Sequence, residues 1–480
     1  MNFKPVFYIN GILLLILSGF MLFPVLIDLA DSSNDWRVFA SAQIVTSFIG
    51  FSLIFTNREK SFSLSLRQTF ILVTMSWIFL TVFAALPFAF ANINLSLADA
   101  FFEAASGLTT TGSTVISHLD GLPRGILLWR AILQGLGGIG FLIVALAVLP
   151  LLQISGMQIF KTQSFGMEKV LPSAQQMAFY ILMIYLALIF SAAIMFYIFD
   201  MDVFDAFCHA MTAVATAGFS NYDASIGHFD SRAIDLIAIV FMWLGALPFV
   251  LYVRFLKGDS AALVHDSQVT AFFSIIFVLA GISTAYLVLT GQKPLFDAFV
   301  NATFMVTTLV TTTGFATEDY SQWGPLIIGI AFVATFLGGC SGSTSGGIKT
   351  FRLQILWYMF QQQIRKLIVP RGVFHVHYNG KIVEHSVQAS VAGFIFVFLL
   401  TWLAFALMLL ATGLDFLTAM SGAATAISNV GPGLGPVIGP AGNFAALPND
   451  AIWILSFAML LGRVELLTFF VLLAPRFWRD

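Results

Sequence analysis

A short sequence motif with a glycine near its end occurs four times along the 480-residue chain. This repetition constrains the fold more than any single segment does. Each copy follows an apolar stretch and precedes a more polar one, and the copies lie roughly a hundred residues apart, at 108–113, 214–219, 309–315 and 427–432. A fixed internal period indicates a repeated structural unit. The sequence therefore predicts four copies of one unit.

The composition places these units in a membrane. Only 10% of the residues are charged and the mean hydropathy is +0.93, whereas soluble domains carry about 25% charged residues. A helix of about 20 apolar residues crosses a lipid bilayer. Ten such segments predict an all-α polytopic membrane protein: 6–27, 38–55, 70–90, 126–152, 177–199, 233–255, 269–289, 326–358 (interrupted by glycines), 391–410 and 451–473.

Charged residues divide unevenly between the two sides that ten spans define. Of the 22 Lys and Arg residues, fifteen are assigned to the side of the N-terminus and five to the other side, namely Arg37, Arg124, Arg130, Arg232 and Lys293. Loops rich in Lys and Arg face the cytoplasm, so we expect both termini to be cytoplasmic. The opposite side carries seventeen Asp and Glu residues. These either concentrate cations or reflect the tolerance of acidic loops for translocation.

A second pattern accompanies each glycine. A residue that can cap a helix N-terminus stands thirteen positions before each one, in the pairs Asp99 and Gly112, Asp205 and Gly218, Asn301 and Gly314, Thr418 and Gly431. Side-chain oxygens of Asp, Asn and Thr accept the unpaired N–H groups of a helix start. The register predicts four half-helices of about two and a half turns, each too short to span and each ending at its glycine motif.

Half-helices of this kind form an ion site when they converge. Their C-terminal ends carry about half a negative charge, and glycine permits the dihedral angles that turn successive carbonyls towards an ion. A packing role for small residues would explain one such motif, but four in register favour a filter. The predicted filter residues are Thr110, Thr111, Gly112, Thr216, Ala217, Gly218, Thr312, Thr313, Gly314, Asn429, Val430 and Gly431.

From about residue 65 to its end, the chain resembles the Trk/Ktr/HKT superfamily of K⁺ transporters, in which one chain imitates a tetrameric channel. The two leading helices resemble its TrkH/TrkG branch. The resemblance implies four pseudo-symmetric repeats around one pore, with residues 1–60 as an N-terminal addition and repeats at 61–156, 157–260, 261–383 and 384–480. Its one key glycine per repeat matches Gly112, Gly218, Gly314 and Gly431.

The resemblance also implies a function. It implies K⁺ uptake across a bacterial inner membrane, with K⁺ as the transported ion and no cofactor in the chain. It implies a homodimer controlled by a cytosolic, TrkA-like ring protein that binds NAD or ATP. No repeat carries the full Thr-Val-Gly-Tyr-Gly of K⁺ channels. Repeats one and three are closest, with Thr-Thr-Gly, whereas repeat two has Ala217 before its glycine and repeat four has Asn429 and Val430. This departure implies a looser filter.

A glycine-rich stretch interrupts the eighth predicted span. Each glycine costs a helix about 1 kcal/mol, so residues 338–347, of which five are glycine, cannot form a firm helix. The resemblance implies an intramembrane loop that gates the pore; a helix kink is the alternative. Arg463 is expected near the centre of the last helix, facing the pore, and Lys349 either joins the gate or reaches the inner surface. The predicted gate residues are Gly338, Gly339, Ser341, Gly342, Ser343, Thr344, Ser345, Gly346, Gly347, Lys349 and Arg463.

Other functions fit less well. Symport of K⁺ with H⁺ or Na⁺ commonly needs an ionisable group inside the membrane, and Glu465 is the carboxylate available for it. An intramembrane hydrolase would need a partnered nucleophile, but the histidines lie mostly in loops. The glycine pattern at 135–140 lies in a predicted span without a βαβ unit, so it indicates helix packing and no dinucleotide site. We expect no enzyme and no nucleic-acid partner.

Overall fold

The computed structural model describes residues 2–58, 64–143 and 174–479. Within them the chain is almost entirely helical, and its helices are α1 (Lys4–Phe20), α2 (Leu22–Ala30), α3 (Trp36–Thr56), α4 (Leu66–Phe90), α5 (Leu97–Leu108), α6 (Arg124–Ile143), α7 (Ala174–Ile198), α8 (Val203–Val214), α9 (Arg232–Ala246), α10 (Phe249–Leu256), α11 (Ser267–Leu289), α12 (Leu295–Val310), α13 (Pro325–Ala334), α14 (Thr350–Ile368), α15 (His385–Ala411), α16 (Phe416–Ser428), α17 (Asn449–Val464), α18 (Leu466–Leu473) and α19 (Pro475–Trp478). Two-residue strands pair in parallel (β1, Leu337–Gly338, with β2, Ile348–Lys349) and antiparallel (β3, His377–Tyr378, with β4, Lys381–Ile382).

The all-α membrane fold is confirmed, but three predicted spans are not single straight helices. Among the described residues, seven apolar segments are long enough to cross a bilayer, and two bent pairs raise the number to nine. Segment 233–255 bends by 89° after Ala246, where Pro248 ends the helix, and segment 451–473 bends by 104° at Glu465, whose φ is +65°. Segment 326–358 is divided between α13 and α14.

Some predicted boundaries cannot be compared with the structure. The end of span 126–152 and the repeat boundaries at 60/61 and 156/157 lie outside the described residues. The division of the chain into four repeats at those positions therefore stays a prediction.

Four short helices, α5, α8, α12 and α16, occupy the predicted half-helix positions. They contain 12, 12, 16 and 13 residues, so they are longer than two and a half turns. Most of their side chains are buried, and α5, for example, packs between α4, α6 and α17. We call these four the half-helices. This burial within the protein explains why helices too short to span can lie among the longer ones.

The predicted capping residues are wrong in all four copies. Ser96, Asp202 and Asp415 cap the first, second and fourth half-helices, each three residues before the predicted position. Asp99 and Thr418 are the third helical residues, whose backbone N–H groups bond to the caps. The third half-helix begins after Pro294 and is a turn longer, so Asn301 lies within it. Asp is favoured in the first turn as well as at the cap, which explains the displacement.

The C-terminal ends of the half-helices share one geometry. The residue two positions before each glycine has a left-handed conformation, with φ of 55° at Thr110, 49° at Thr216, 58° at Thr312 and 56° at Asn429. The next backbone N–H bonds to a carbonyl five residues earlier, as from Thr111 to Ser106 at 2.9 Å. This is the Schellman end of a helix, which normally uses glycine. A β-branched Thr there stores strain, of the kind that concentrates at functional sites.

The remaining helices enclose the half-helices and present apolar surface outwards. On α3, Phe48 and Phe55 are 68% and 70% exposed, as expected for side chains facing lipid. The N-terminal helices pack on α4 and α6. Buried Asp28 of α2 accepts a hydrogen bond of 2.9 Å from the N–H of Gly125, at the start of α6. A carboxylate near a helix N-terminus is favourable, and this contact joins the N-terminal pair to the first repeat.

Close helix packing at Gly137 should be essential for the fold. A Cβ on Gly137 would overlap the carbonyl of Leu108 at the end of the first half-helix, whereas nothing lies within 4 Å of a Cβ on Gly140 of the same helix. We expect Gly137→Ala to cost about 1–3 kcal/mol and Gly140→Ala to be neutral or stabilising. Thermal unfolding of both variants in detergent tests this, and equal midpoints would contradict the packing.

Candidate functional site

The four glycines form a closed ring with the carbonyl groups of the neighbouring repeats. We call residues 109–112, 215–218, 311–314 and 428–431 the central loops. A Cβ on Gly112 would overlap the carbonyl oxygen of Ala217, one on Gly218 that of Thr313, and one on Gly314 that of Val430. A Cβ on Gly431 would come within 2.9 Å of the carbonyl oxygen of Thr111, which closes the ring. Each carbonyl belongs to the residue just before the next glycine.

This contact explains why glycine is required. The φ angles of the four glycines lie between 81° and 116°, a region that L side chains rarely adopt. Any side chain would also displace the adjacent carbonyl. The loops are further linked by hydrogen bonds between the fourth and first repeats, from Ser113 Oγ to the Gly431 carbonyl at 2.7 Å and from Asn429 Nδ2 to Thr111 Oγ1 at 2.9 Å.

Three carbonyls of the ring are left available. Among the described residues, no hydrogen-bond donor reaches the carbonyl oxygens of Thr111, Thr313 and Val430. The carbonyl of Ala217 accepts a hydrogen bond from Gln134. Buried carbonyls are normally paired, so a ring in which three lack donors offers oxygen ligands to a cation.

A cavity of ≈ 380 Å³ lies directly against the ring. Gly112, Gly218, Gly314 and Pro432 line it, so all four repeats contribute to its floor. We call this side of the ring the vestibule side. The residues that follow the central loops form its walls, and a hydrogen bond of 2.8 Å from the Phe444 N–H to the Thr114 carbonyl joins two of these walls.

A buried ion pair lies next to the ring on its vestibule side. Arg130 of α6 donates from Nε to Glu103 of the first half-helix at 2.8 Å, and the two side chains are 1% and 0% exposed. Glu103 also accepts from Val115 N at 3.1 Å, and Arg130 donates to the Ser220 carbonyl at 2.6 Å. The guanidinium lies 4.1 Å from the ring centre of Phe219. The pair therefore links the segments that follow the first and second central loops.

The glycine-rich loop, residues 338–347, lies against the other side of the ring. It is non-helical, as predicted, and almost wholly buried. Thr344 Oγ1 is 3.0 Å from Thr216 Oγ1, and Gly346 N donates to Thr312 Oγ1 at 2.6 Å. Gly347 N donates to the Ser428 carbonyl at 2.8 Å. The loop thus contacts three of the four central loops, at the C-terminal ends of their half-helices.

Broken helices provide the remaining partners of this loop. In the gap between α9 and α10, the Ala246 carbonyl accepts from Cys340 N at 3.0 Å and the Gly342 carbonyl accepts from Phe249 N at 2.9 Å. The side chain of Gln268 on α11 accepts from Ser341 N at 2.5 Å. Non-helical backbone inside a membrane protein must have such partners, and the break after Ala246 supplies them.

Two buried cationic side chains donate hydrogen bonds to the glycine-rich loop. Arg463 Nη1 donates to the Thr344 carbonyl at 3.0 Å, and Lys349 Nζ donates to the Ser345 carbonyl. Both side chains are 2% exposed, and both approach the ring of Phe141. Arg463 is in the last turn of α17, so its predicted place at the centre of an unbroken helix is wrong. Lys349 contacts the loop and does not reach the surface.

Arg352 and Glu465 form a second buried ion pair, 2.9 Å apart, next to these cations. Arg352 is 1% exposed and packs 3.7 Å from the ring centre of Phe394. Glu465 therefore pairs with Arg352 and not with Arg463. The space that these side chains share with the glycine-rich loop measures only ≈ 20 Å³.

The structure brings every predicted filter and gate residue into this one central site, but other contributors were missed. Thr110, Thr216, Thr312 and Asn429 were predicted as filter residues, but their left-handed conformation was not, because Gly is the usual choice there. Arg130 and Arg352 both fall inside predicted spans, and a charge inside a span is itself a signal of function. Both members of the Glu103–Arg130 pair are buried, which the sequence analysis did not predict.

A membrane-embedded ring of half-helices and central loops, with a vestibule on one side and a buried loop on the other, defines the class as a polytopic cation transport protein. The sequence model of the TrkH family, described as "Cation transport protein", matches residues 36–479. The chain belongs to this family, which places it among transport proteins and not among enzymes.

Individual relatives match along their whole length. The Trk system potassium uptake protein TrkI of Halomonas elongata is 44% identical, over 100% of this chain and 98% of that protein. TrkH of Escherichia coli, also named a Trk system potassium uptake protein, is 34% identical over 100% of both. The crystal structure of the potassium transporter TrkH from Vibrio parahaemolyticus superposes with a TM-score of 0.93, at 35% identity and full coverage of both chains.

The Glu103–Arg130 pair gives a prediction about stability. Arg130→Met should cost about 3–5 kcal/mol, because it leaves a buried carboxylate unpaired. Glu103→Gln combined with Arg130→Met should recover much of that loss, because no buried charge remains. Unfolding in detergent measures both. Arg254→Met, which removes an ion pair whose two side chains are each 42% exposed, should cost at most about 1 kcal/mol. A double variant less stable than Arg130→Met would contradict the pairing.

Proposed function

We propose that this chain is the membrane subunit of a K⁺ uptake system, which conducts K⁺ through the ring of central loops. The observation that carries the proposal is the closed ring in which each glycine lies against the carbonyl preceding the next glycine. Carbonyl rings that replace the hydration shell are the known solution for K⁺. The relatives named as potassium uptake proteins support K⁺ as the ion.

The glycine-rich loop is the proposed gate. It closes the passage on one side of the ring, and Arg463 and Lys349 beneath it carry positive charge that repels a cation while the loop is in place. Opening requires the loop to leave its hydrogen bonds to the central loops. The proposed trigger is a cytosolic TrkA-like ring protein that binds NAD or ATP.

The proposed orientation places the vestibule in the periplasm and both termini in the cytoplasm of a bacterial inner membrane. The excess of Lys and Arg on the side of the termini supports it. Helix α14 and the hairpin β3–β4 then extend on the cytoplasmic side, and exposed apolar residues of α14, such as Trp357 and Phe360, at 55% and 54% exposure, remain for a second copy of the chain. A homodimer is therefore part of the proposal.

Symport with H⁺ or Na⁺ is the alternative function. The carboxylate that a symporter would use, Glu465, is already paired with Arg352 at 2.9 Å, so this contact competes with the binding of a driving ion. Among the filter positions there is no carboxylate. Both points favour a channel-like subunit.

Flux through the reconstituted protein tests the proposal. In liposomes with K⁺ and Na⁺ gradients, the reversal potential should follow K⁺ and should not change with pH. Gly218→Ala should reduce K⁺ flux or K⁺ over Na⁺ selectivity about tenfold, since left-handed geometry alone costs Ala about 1–2 kcal/mol. Gly281→Ala, at a site where nothing lies within 4 Å of the Cβ, is the matched control. A reversal potential that tracks pH would establish symport instead.

The proposed gate predicts variants that raise the K⁺ flux instead of lowering it. Arg463→Ala, or deletion of two residues from 338–347, should raise K⁺ flux measured without any partner protein, because the closed loop loses its support. Arg476→Ala, at an exposed arginine close by in sequence, should leave the flux unchanged. Unchanged or lower flux in correctly folded Arg463→Ala protein would count against the gate.

A further inference from the structure

One side chain outside the central loops, that of Gln134, forms hydrogen bonds with the second central loop on both sides of Gly218. Gln134 of α6 is fully buried, and its Nε2 donates to the Ala217 carbonyl at 2.6 Å. Its Oε1 accepts from Phe219 N at 3.0 Å. Both ends of the amide are therefore used, and Gly218 lies between the two contacts.

The second central loop lacks the internal hydroxyl pair that loops one and three contain. In loop one, the hydroxyls of Thr109 and Thr111 lie 2.7 Å apart, and in loop three those of Thr311 and Thr313 do the same. Thr109 and Thr311 also donate to their own half-helices at 2.7 Å. Loop two has Ala215 and Ala217 at these positions, so it cannot make these bonds.

The fourth loop is supported in a third way. It has Ser428 and Val430 at the two positions, so the hydroxyl pair is again missing. Its left-handed Asn429 donates instead to the Met459 carbonyl and to Thr111 Oγ1, both at 2.9 Å. Each loop that lacks the pair thus has a substitute, and for loop two the substitute comes from outside the loop.

The position of Gln134 can be compared between repeats. Gly137, Gly245 and Gly462 each lie against the carbonyl four residues before the filter glycine of their own repeat, so they are structurally equivalent. Three residues before them stand Gln134, Met242 and Met459. Methionine of similar size fills this position in repeats two and four, so packing does not require an amide in repeat one.

A neighbouring side chain, that of Arg130, forms a further hydrogen bond with this segment. Arg130 lies one turn before Gln134 on α6 and donates to the Ser220 carbonyl at 2.6 Å. Residues 217–220 are thereby held by two side chains of one helix. The Arg130 contact lies on the vestibule side of the ring, whereas the Gln134 contact is made to a carbonyl of the ring itself.

We propose that Gln134 is a positioning and specificity-determining residue for the second central loop. Its amide fixes the direction of the Ala217 carbonyl and occupies one of its two lone pairs, so it sets both the geometry and the field that a cation meets there. A loop held in this way cannot contract around a smaller cation such as Na⁺. The inference rests on the proposed filter function.

Gln134→Met tests the inference with the residue that repeats two and four already use. In liposomes we expect the Na⁺ to K⁺ permeability ratio to rise about fivefold, the factor that corresponds to one net hydrogen bond of about 1 kcal/mol. Gln388→Met is the matched control, because Gln388 is a buried helix glutamine whose bond to the Val383 carbonyl is remote from the ring. A ratio unchanged in Gln134→Met would overturn the proposal.

A second variant decides the matter if Gln134→Met does not fold. Gln134→Glu keeps the shape and the acceptor for Phe219 N, but it donates to the Ala217 carbonyl only when protonated. Its permeability ratio should therefore return towards that of the unmodified protein as the pH falls, measured against the unmodified protein at each pH because the Arg130–Glu103 pair lies nearby. A ratio independent of pH would refute a donor role, since packing alone predicts no such change.

Failure of the inference and failure of the filter can be distinguished. If Gly218→Ala changes the permeability ratio and the Gln134 variants do not, the filter assignment stands and Gln134 is merely structural. If Gly218→Ala leaves the ratio unchanged as well, the ring does not select the ion and both proposals fall together.

Discussion

The structure depends on how non-helical backbone is satisfied inside an apolar protein. Each half-helix ends in a left-handed residue that turns the following N–H back to its own helix, as Thr111 does to Ser106. The N–H groups at these helix ends are thereby consumed within each repeat, and among the described residues the carbonyls of Thr111, Thr313 and Val430 are left without a donor. Glycine next allows the neighbouring loop to approach. The ring of carbonyls is thus a consequence of helix termination, achieved at the cost of strain at Thr110, Thr216 and Thr312.

The same requirement joins the glycine-rich loop to the ring. That loop has no helix to satisfy its backbone, so it uses Thr312 and Ser428 of the central loops and the carbonyl of Ala246 in a helix break. In the proposed function these bonds must break when the gate opens, and the groups they release belong to the central loops. The state of the gate and the rigidity of the ring are therefore coupled through direct contacts, and the cations beneath the loop favour the closed arrangement.

Local pattern was enough to predict the four half-helices, their glycines and the interruption at 338–347, because helix period and glycine spacing are carried by neighbouring residues. It failed where the partner lies far away in sequence. The caps are shifted because Ser96 and Asp99 have the same preferences, and only the chain path distinguishes them. The pairing of Arg130 with Glu103 and of Arg352 with Glu465 joins residues 27 and 113 positions apart. Neither pairing can be derived from the residues that neighbour its members in the sequence.

Differences between the repeats are a consequence of joining them in one chain. A symmetric tetramer must support its four loops identically, since each substitution appears four times. Here loops one and three use hydroxyl pairs, loop four uses Asn429, and loop two uses Gln134 from the adjacent repeat. Once support comes from outside, the loop itself is free to lose its threonines. The degenerate sequence of loop two therefore does not by itself imply a loose filter, because the rigidity that its own residues lack is supplied by α6.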